Sequence, residues 1–490
     1  MTTIAETTTG PVQGRIKEDV LLFAGIPYAA PPVGDLRFKA ARPHESWSQV
    51  RSAQKFGFAA PQVPSGGLTD SAPVNWNEDC LTLNVSTPAL DSKKRPVMVW
   101  IHGGGYRTGQ GGIPWYNGAR FAINGDIVVV SINYRLGALG FTDLSGFGPD
   151  FATSGVNGTL DQIIALRWVQ DNIEAFGGDP DQVTIAGESA GGFSVATLLG
   201  SPLGEGLFHR AIPQSGAAHH TLTAAAGRTV AKHFVEAMQT DDISALQAAS
   251  VDQILAAQTQ VDTLVQGNLD EVNESGGSVS PFYPVVGNDV LPRSPLEAIR
   301  EGTGADIAVL TGTNRDETTL WGYGRVDEDR LRKTAAGFGV GDSLLAAFRK
   351  ERPEASANDL MIAMTTDHSF RIPAIRLAEA RARHQAQTWM YLFCWESRAP
   401  GQLKATHSLE IPFAFDNLHQ PGVDFFLGDG NVPQHVADVM HKAWIDFIRD
   451  GNPGWPEYEP GHRMTMCFND ESRVIEDPQS ISRSAWDGIR

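Results

Sequence analysis

Cysteine is scarce in this chain of 490 residues, which contains only Cys80, Cys394 and Cys467. The three residues lie far apart within apolar segments, a pattern typical of free buried thiols in a reducing compartment. So few cysteines exclude a disulfide-rich scaffold. The chain also has no cluster of cysteine, histidine and acidic residues with metal-ligand spacing, so the sequence predicts no metal site.

The chain also has fewer basic than acidic residues and lacks long hydrophobic runs. Lysine and arginine number 39 against 57 acidic residues, which gives a net charge of −18. This balance argues against nucleic acid and against anionic membrane surfaces as partners. No run of about 18 apolar residues is present, so no transmembrane helix is expected. The first residues lack the basic start and the apolar segment of a signal peptide, and we therefore expect a cytoplasmic protein.

What the chain does contain is a serine motif in a defined local context. Residues 187–191 read Gly-Glu-Ser-Ala-Gly, which is the one match to G-x-S-x-G in the sequence. Residues 183–186 form a short apolar run typical of a buried strand, and residues 192–199 continue as an apolar helix. A strand, a tight turn with a glycine on each side of the serine, and a helix make up a nucleophile elbow. Ser189 is therefore predicted to be a catalytic nucleophile.

A serine hydroxyl attacks only after a base takes its proton, so Ser189 needs a histidine, and the histidine needs a carboxylate. In α/β-hydrolases the acid follows the serine along the chain and the histidine comes last. Asp316 and Glu317 lie in a loop after the strand predicted at 307–311, and the residues alone do not choose between them. His407 follows the next predicted strand and is the favoured base. Three other histidines are alternatives, His219, His220 and His368, but the first two come too early in the chain for this order.

Acyl transfer also requires N–H donors for the oxyanion that develops on the substrate. Residues 102–105 read His-Gly-Gly-Gly and follow the apolar strand predicted at 96–101, as in an HGGG-type oxyanion motif. A flexible glycine turn is the alternative interpretation of this segment. The backbone N–H of Ala190, directly after the nucleophile, is a further candidate donor.

Apolar strands alternate with helical segments along the chain, which predicts an α/β protein. Continuous apolar runs such as 96–101 favour a sheet that is covered on both faces. Residues 10–25 are predicted to form an opening β-hairpin, with one strand at 10–14 and the other at 20–25. Because no repeat or linker divides the chain, we expect one domain over residues 1–490, with helical insertions near 222–275 and 328–384.

Several segments of the chain resemble the type-B carboxylesterase/cholinesterase family of α/β-hydrolases. The matching segments span nearly the whole chain and lie at residues 23–34, 78–85, 100–105, 133–137, 176–191, 312–317 and 407–413. The similarity is greatest to the family's bacterial, para-nitrobenzyl-esterase-like members. It implies an α/β-hydrolase fold, in which a large, mostly parallel sheet has helices on both faces.

The resemblance also implies which residues serve as the acid, the histidine and the oxyanion donors, a choice that the motifs alone did not decide. The family's acid falls on Glu317, and its histidine falls on His407. Its oxyanion donors fall on Gly104, Gly105 and Ala190.

Three further family features have counterparts here. Two buried ion pairs fall on Arg37–Glu78 and Arg135–Asp161, and we interpret both as structural because an unpaired buried charge is costly. Ser215 matches a serine near the triad, where it either supports the acid or caps a loop.

The chain also departs from the family pattern. No cysteine precedes Cys80, so the disulfide of the family's secreted animal members is not expected. Thr318 stands where the family usually has glycine, next to the acid. Ser278 and Ser280 fall where choline-hydrolysing relatives have aromatic residues that narrow the acyl pocket, which suggests a roomier site. Trp321 is expected either to line the pocket or to pack in the core.

Taken together, the sequence predicts a serine carboxylic-ester hydrolase that forms an acyl-enzyme on small to medium uncharged esters. The mechanism requires no metal or organic cofactor. A carbamate or amide hydrolase with the same triad is the nearer alternative, and a non-catalytic cholinesterase-like binding module is the remote one. We expect a monomer or a homodimer, and we expect the amphipathic helix at 436–449 to pack on the core rather than on a partner.

Overall fold

The structure, a computed structural model, describes residues 3–64, 74–267, 280–339 and 341–490. Its strands are β1 (Ile4–Glu6), β2 (Pro11–Gln13), β3 (Arg15–Lys17), β4 (Val20–Pro27), β5 (Arg51–Ser52), β6 (Thr82–Thr87), β7 (Arg95–Ile101), β8 (Val128–Ile132), β9 (Gly178–Glu188), β10 (Arg210–Gln214), β11 (Ala308–Asn314), β12 (Thr388–Phe393), β13 (Thr465–Phe468) and β14 (Arg473–Ile475). Its α-helices are α1 (Ala119–Gly125), α2 (Gly137–Phe141), α3 (Asn157–Asn172), α4 (Ala190–Leu199), α5 (Ala224–Met238), α6 (Ile243–Ala248), α7 (Val251–Gly267), α8 (Pro295–Arg300), α9 (Glu328–Gly337), α10 (Gly341–Glu351), α11 (Ala357–Thr366), α12 (Ile372–Ala382), α13 (Ile411–Ala414), α14 (Val423–Leu427), α15 (Gln434–Asp450) and α16 (Ser480–Ser484).

A sheet of 11 strands runs through the molecule in the order β3-β4-β6-β8-β7-β9-β10-β11-β12-β13-β14. The pairs from β8 across to β13 are parallel, and the pairs at the two edges are antiparallel. The predicted α/β architecture with a large, mostly parallel sheet is therefore confirmed. A small second sheet has the order β1-β2-β5.

Successive residues of β7 point to opposite faces of the large sheet and enter different cores. Val97 and Val99 pack in a core that also contains residues of α3 and α4. Met98 and Trp100 pack in a second core together with residues of α15. Because both faces are covered, the strand reads as a continuous apolar run rather than as an alternating one. The amphipathic helix predicted at 436–449 thus lies on the core.

Helices fill the described parts of both predicted insertions. The segment 222–275 contains α5, α6 and α7, and its residues from 268 onward lie outside the described ranges. The segment 328–384 contains α9 to α12. Within the described ranges, no helix is long and apolar enough to cross a bilayer.

The opening hairpin uses a different first strand from the one that the sequence predicted. Strands β3 and β4 form it, joined by Glu18 and Asp19, whose φ angles are 52° and 63°. Two positive φ values in a two-residue loop are typical of the turns that match strand twist, which usually carry asparagine or glycine. The prediction at 10–25 was wrong in its first strand, because β2 belongs to the small sheet.

The candidate catalytic side chains follow three strands that run in the same direction. Ser189 follows β9, Glu317 follows β11, and His407 lies in the segment after β12. These strands lie within a run of four parallel neighbours, with β10 between β9 and β11. Their carboxyl ends therefore meet at one edge of the sheet, where α/β proteins place their ligand sites.

Candidate active site

Ser189 occupies a strained turn between β9 and α4. Its φ and ψ are 55° and −124°, a region that non-glycine residues rarely adopt. The turn is held because the Ser189 N–H donates to the carbonyl of Gln214 on β10, at 3.0 Å. A Cβ atom added to Gly187 would lie 2.6 Å from the carbonyl carbon of Gly191, so the turn requires glycine, as predicted.

A buried histidine–carboxylate pair lies at the same edge of the sheet. Nδ1 of His407 lies 2.6 Å from Oε2 of Glu317. The backbone N–H of His407 also donates to the backbone carbonyl of Glu317, at 3.2 Å. Both side chains are almost fully buried. The neighbouring Asp316 instead accepts a hydrogen bond from Nε of Arg315 at 2.9 Å. The structure thus brings Glu317, and not Asp316, to the imidazole.

The other ring nitrogen of His407 faces a second carboxylate. Its Nε2 lies 3.1 Å from Oε1 of Glu188, the residue that precedes Ser189, but the two do not form a hydrogen bond. Among the described residues, this Nε2 has no hydrogen-bond partner. Burial lowers the pKa of His407, but Glu188 and Glu317 raise it more strongly, to about 9. The Glu188 carboxylate is itself fixed by the Ser408 hydroxyl, which donates to Oε1 at 2.6 Å.

A third buried carboxyl group, Glu410, completes the acidic cluster. Its Oε2 accepts a hydrogen bond from Nδ2 of Asn314 at 2.6 Å, and its Oε1 accepts one from Nε2 of Gln214 at 3.3 Å. Burial, and then the charges of Glu188 and Glu317, raise the pKa of Glu410 to about 8. Glu410 is therefore expected to be protonated at neutral pH, which relieves repulsion among the three groups.

The glycine-rich segment 102–105 lies directly against the serine turn. A Cβ atom added to Gly103 would come within 3.2 Å of the Ser189 Cβ. Gly104 and Gly105 have φ angles of 107° and 62°, and their N–H groups donate to no other residue that the structure describes. Ala190 is the first residue of α4, so its N–H has no acceptor within the helix. Three backbone donors near Ser189 are thus available to a ligand.

Aromatic rings form one wall beside the histidine. The rings of Trp321 and Phe370 lie 5.1 and 4.9 Å from that of His407, measured between centroids. The two rings are nearly parallel, 6.1 Å apart, and Trp321 is 50% exposed. Such exposure fits a pocket wall rather than core packing. Ser280 is buried, whereas Ser278 lies outside the described residues, so the roomier acyl site stays a prediction.

Two of the three alternative histidines stack on aromatic rings. His220 stacks on Phe193 with centroids 3.5 Å apart, and His368 stacks on Phe338 at 4.3 Å. Burial lowers the pKa of both His220 and His368 to about 3, and it also lowers the pKa of His219. None of the three forms an ion pair with a described carboxylate. Unlike His407, none of these imidazoles has a carboxylate among the described residues to orient it.

Both predicted ion pairs are present and bidentate. Nε and Nη2 of Arg37 bind the two oxygens of Glu78 at 2.7 and 2.6 Å. The same two atoms of Arg135 bind Asp161 at 2.8 and 2.7 Å, and both of these residues are buried.

Ser215 is buried as well, but its hydroxyl has no hydrogen-bond partner among the described residues. It therefore fits neither of the two roles expected for it, support of the acid or capping of a loop.

Sequence reasoning missed Glu188, Glu410 and Phe370. Glu188 lies inside the serine motif and Glu410 inside the segment 407–413, so acidic residues within the two motifs were the available signal. Phe370 comes from the second helical insertion, where no local pattern marks it as part of the site.

The parallel sheet, the strained serine turn and the buried His–Glu pair define an α/β-hydrolase. The family model described as "Carboxylesterase family" matches residues 1–482. The para-nitrobenzyl esterase of Bacillus subtilis (strain 168) is 37% identical over 494 residues, covering 98% of this chain and 97% of that protein. The phenmedipham hydrolase of Pseudarthrobacter oxydans is 37% identical over 504 residues, covering 98% of each. The solved structure of the carboxylesterase EST55 of Geobacillus stearothermophilus has a TM-score of 0.88 at 38% identity, and the match covers 99% of this chain and 100% of that one.

The chain therefore belongs to the carboxylesterase family, and the protein is a carboxylic ester hydrolase. This confirms the resemblance, the fold and the class of enzyme that the sequence predicted.

Proposed function

We propose that Ser189, His407 and Glu317 form a catalytic triad that hydrolyses esters through an acyl-enzyme. The observation that carries the proposal is the 2.6 Å bond between His407 and Glu317. It is supported by the position of His407 Nε2, which lies 3.1 Å from Oε1 of Glu188, the residue directly before Ser189. A nucleophile, a base and an orienting acid arranged in this order are the parts of a serine hydrolase.

In the acylation step, Ser189 Oγ attacks the ester carbonyl carbon while neutral His407 takes the hydroxyl proton at Nε2. Glu317 stabilises the resulting imidazolium and holds its Nδ1–H. The N–H groups of Gly104, Gly105 and Ala190 donate to the oxyanion of the tetrahedral intermediate. The loss of one such donor costs about 3–4 kcal/mol of transition-state stabilisation in comparable enzymes.

The intermediate then collapses as the bond between the carbonyl carbon and the alcohol oxygen breaks. His407 gives its proton to the leaving alcohol, and the acyl group stays on Ser189. Water next attacks the acyl-enzyme with His407 as the base, which releases the acid and restores the serine. No step requires a metal or an organic cofactor.

We propose small to medium uncharged esters as the substrates. The aromatic wall of Trp321 and Phe370 favours apolar groups near the reacting carbonyl. One relative is named for the hydrolysis of a para-nitrobenzyl ester, which fits a site of this chemistry. Rates on matched ester, carbamate and amide substrates would distinguish the proposed activity from its nearest alternative.

The test is Ser189→Ala, assayed with p-nitrophenyl butyrate. We expect kcat to fall by at least about 10⁴-fold while circular dichroism and Tm stay unchanged. A fluorophosphonate probe should label the wild type at Ser189, as located by peptide mass spectrometry, and should not label the variant. Ser194→Ala, one turn further along α4, is the matched control and should retain activity. Retained activity in Ser189→Ala, or labelling at another residue, would overturn the proposal.

A further inference from the structure

Two of the three cysteines meet in space, although sequence alone predicts isolated thiols. Cys394 directly follows β12, and Cys467 lies within β13. Their Sγ atoms are 2.7 Å apart across a sequence separation of 73 residues. The two sulfur atoms are not bonded at this distance, but only a small movement would bring them to the roughly 2.05 Å of a disulfide bond.

The strand register explains why the two side chains meet. Strands β12 and β13 are parallel, with Leu392 opposite Cys467. Cys394 comes two residues after Leu392, so its side chain points to the same face of the sheet as Cys467. The Cys394 N–H donates to the Phe468 carbonyl at 2.8 Å, which fixes the backbone beside the pair.

The pair lies in a small apolar cluster of its own near the edge of the sheet. Leu392 and Ile475 pack around the two thiols, apart from the main cores. Cys394 is 6% exposed and Cys467 is 8% exposed. Only a small, uncharged oxidant is expected to reach sulfur atoms with so little accessible surface.

The electrostatic environment differentiates the two sulfur atoms. The hydrogen bond between the thiols lowers the pKa of Cys467; burial opposes this, and the guanidinium groups of Arg315 and Arg473 lower the pKa further. The same hydrogen bond, together with burial, raises the pKa of Cys394. Because the thiolate is the reactive form, Cys467 is the thiol suited to react first.

We propose that Cys394 and Cys467 form an oxidisable dithiol site that hydrogen peroxide converts into a disulfide between β12 and β13. The Cys467 thiolate attacks one oxygen of the peroxide, so that an S–O bond forms, the O–O bond breaks and hydroxide leaves, taking up the proton that Cys467 lost. The Cys394 sulfur then attacks the sulfenic sulfur, which forms the S–S bond and releases the oxygen with the Cys394 proton as water. Two thiols are oxidised by two electrons, and the peroxide is reduced to two waters.

The crosslink is expected to stabilise the fold without changing catalysis. It would close a long loop of the chain, which restricts the unfolded state. Neither sulfur contacts Ser189, His407 or Glu317 among the described contacts. The oxidised protein should therefore unfold at a temperature about 4 °C higher and hydrolyse p-nitrophenyl butyrate at an unchanged rate.

The experiment treats the reduced enzyme with millimolar hydrogen peroxide, removes the oxidant and counts thiols in denaturant. We expect the count to fall from three to one, non-reducing peptide mapping to join Cys394 to Cys467, and dithiothreitol to restore all three. Cys394→Ser and Cys467→Ser should show neither the crosslink nor the rise in Tm. Cys80→Ser, which removes the remaining cysteine, should behave as the wild type does, with its count falling from two to none.

Three outcomes would overturn the proposal. The first is a wild type that keeps three thiols under conditions that fully oxidise free dithiothreitol. The second is a mapped disulfide that involves Cys80, and the third is overoxidation of one cysteine without any crosslink. Because thiol counting and mapping use the wild-type protein, the test does not depend on whether a serine variant folds.

Discussion

Oε1 of Glu188 lies 3.1 Å from Nε2 of His407, on the side of the ring opposite Glu317. The proposed base is thus held between two buried carboxylates. Both charges favour the imidazolium and oppose the effect of burial, and the pKa of His407 is raised to about 9. Because the base must be neutral to accept a proton, we expect kcat/KM to increase with pH up to about that value.

Glu188→Gln should move the pH profile to lower pH. The change removes a negative charge beside Nε2, so the imidazolium loses stabilisation and the pKa of His407 falls. We expect the midpoint of the acidic limb of kcat/KM to decrease by roughly one to three pH units. The measurement is kcat/KM for p-nitrophenyl butyrate between pH 5 and 10. Glu236→Gln on the exposed face of α5 is the control, and an unmoved midpoint in Glu188→Gln would contradict the argument.

Glu317→Gln and Asp316→Asn should separate two adjacent acidic residues. Of these two residues, only Glu317 contacts the imidazole, so its amide variant should lower kcat by roughly 10³–10⁴-fold. Asp316 binds Arg315, so Asp316→Asn should change kcat by less than about threefold. The loss of this ion pair should instead lower Tm. Steady-state kinetics and thermal unfolding of both variants test this, and equal losses of kcat would refute the assignment of the acid.

Glu410→Gln should make stability less sensitive to alkaline pH. The pKa of Glu410 is raised from 4.5 to about 8 in the folded state, so the native protein binds more protons than the unfolded chain between these values. The stabilisation is fully present below pH 4.5 and is lost as the pH rises through 8. His407 contributes with the same sign between 6.5 and about 9.

We therefore expect urea unfolding at pH 6 and pH 9 to show a smaller decline in Glu410→Gln than in the wild type. The difference should be on the order of 3 kcal/mol. An equal decline in the two proteins would mean that Glu410 does not take up a proton on folding.

Asp161→Asn should destabilise the fold strongly without touching the site. It leaves the Arg135 guanidinium buried without its counter-ion, at a cost of about 3–5 kcal/mol. Glu236→Gln is a matched control, because it breaks the exposed pair with Lys232 and should cost less than about 0.5 kcal/mol. Urea unfolding measures both values, and comparable costs would show that burial does not decide the strength of these pairs.

Trp321→Ala should weaken the binding of aryl esters. The exposed indole beside His407 offers a stacking surface whose loss should raise KM for p-nitrophenyl esters by roughly tenfold. Because the side chain is 50% exposed, Tm should change little. Phe425→Ala, at an aromatic side chain that is 68% exposed, is the control and should leave KM unchanged. An unaltered KM in Trp321→Ala would place the substrate elsewhere.

Features encoded within a few residues could be predicted from the sequence. The glycines around Ser189 indicate a turn that is too tight for side chains. The apolar run of β7 indicates a strand that is covered on both faces. The choice between Asp316 and Glu317 was different, because both follow β11 and only the path of the backbone sends one of them to the imidazole. Family resemblance supplied that choice, and the contact with His407 agrees with it.

Features that depend on distant packing could not be predicted. Burial raises the pKa values of Glu188 and Glu410, and the nearby charge of Glu317 raises both further, which cannot be read from any local sequence pattern. The meeting of Cys394 with Cys467 depends on the register of β12 with β13. The hairpin was misplaced because its turn uses Glu18 and Asp19 in place of the usual turn residues.

The donors proposed to bind the oxyanion belong to the main chain at Gly104, Gly105 and Ala190. Apart from an exchange to proline, changing a side chain leaves the main-chain N–H in place. The substrate pocket can therefore vary while the stabilisation of the oxyanion is retained. Laboratory evolution could therefore remodel the aromatic wall for new acyl or alcohol groups, while the machinery for the negative charge is carried along unaltered.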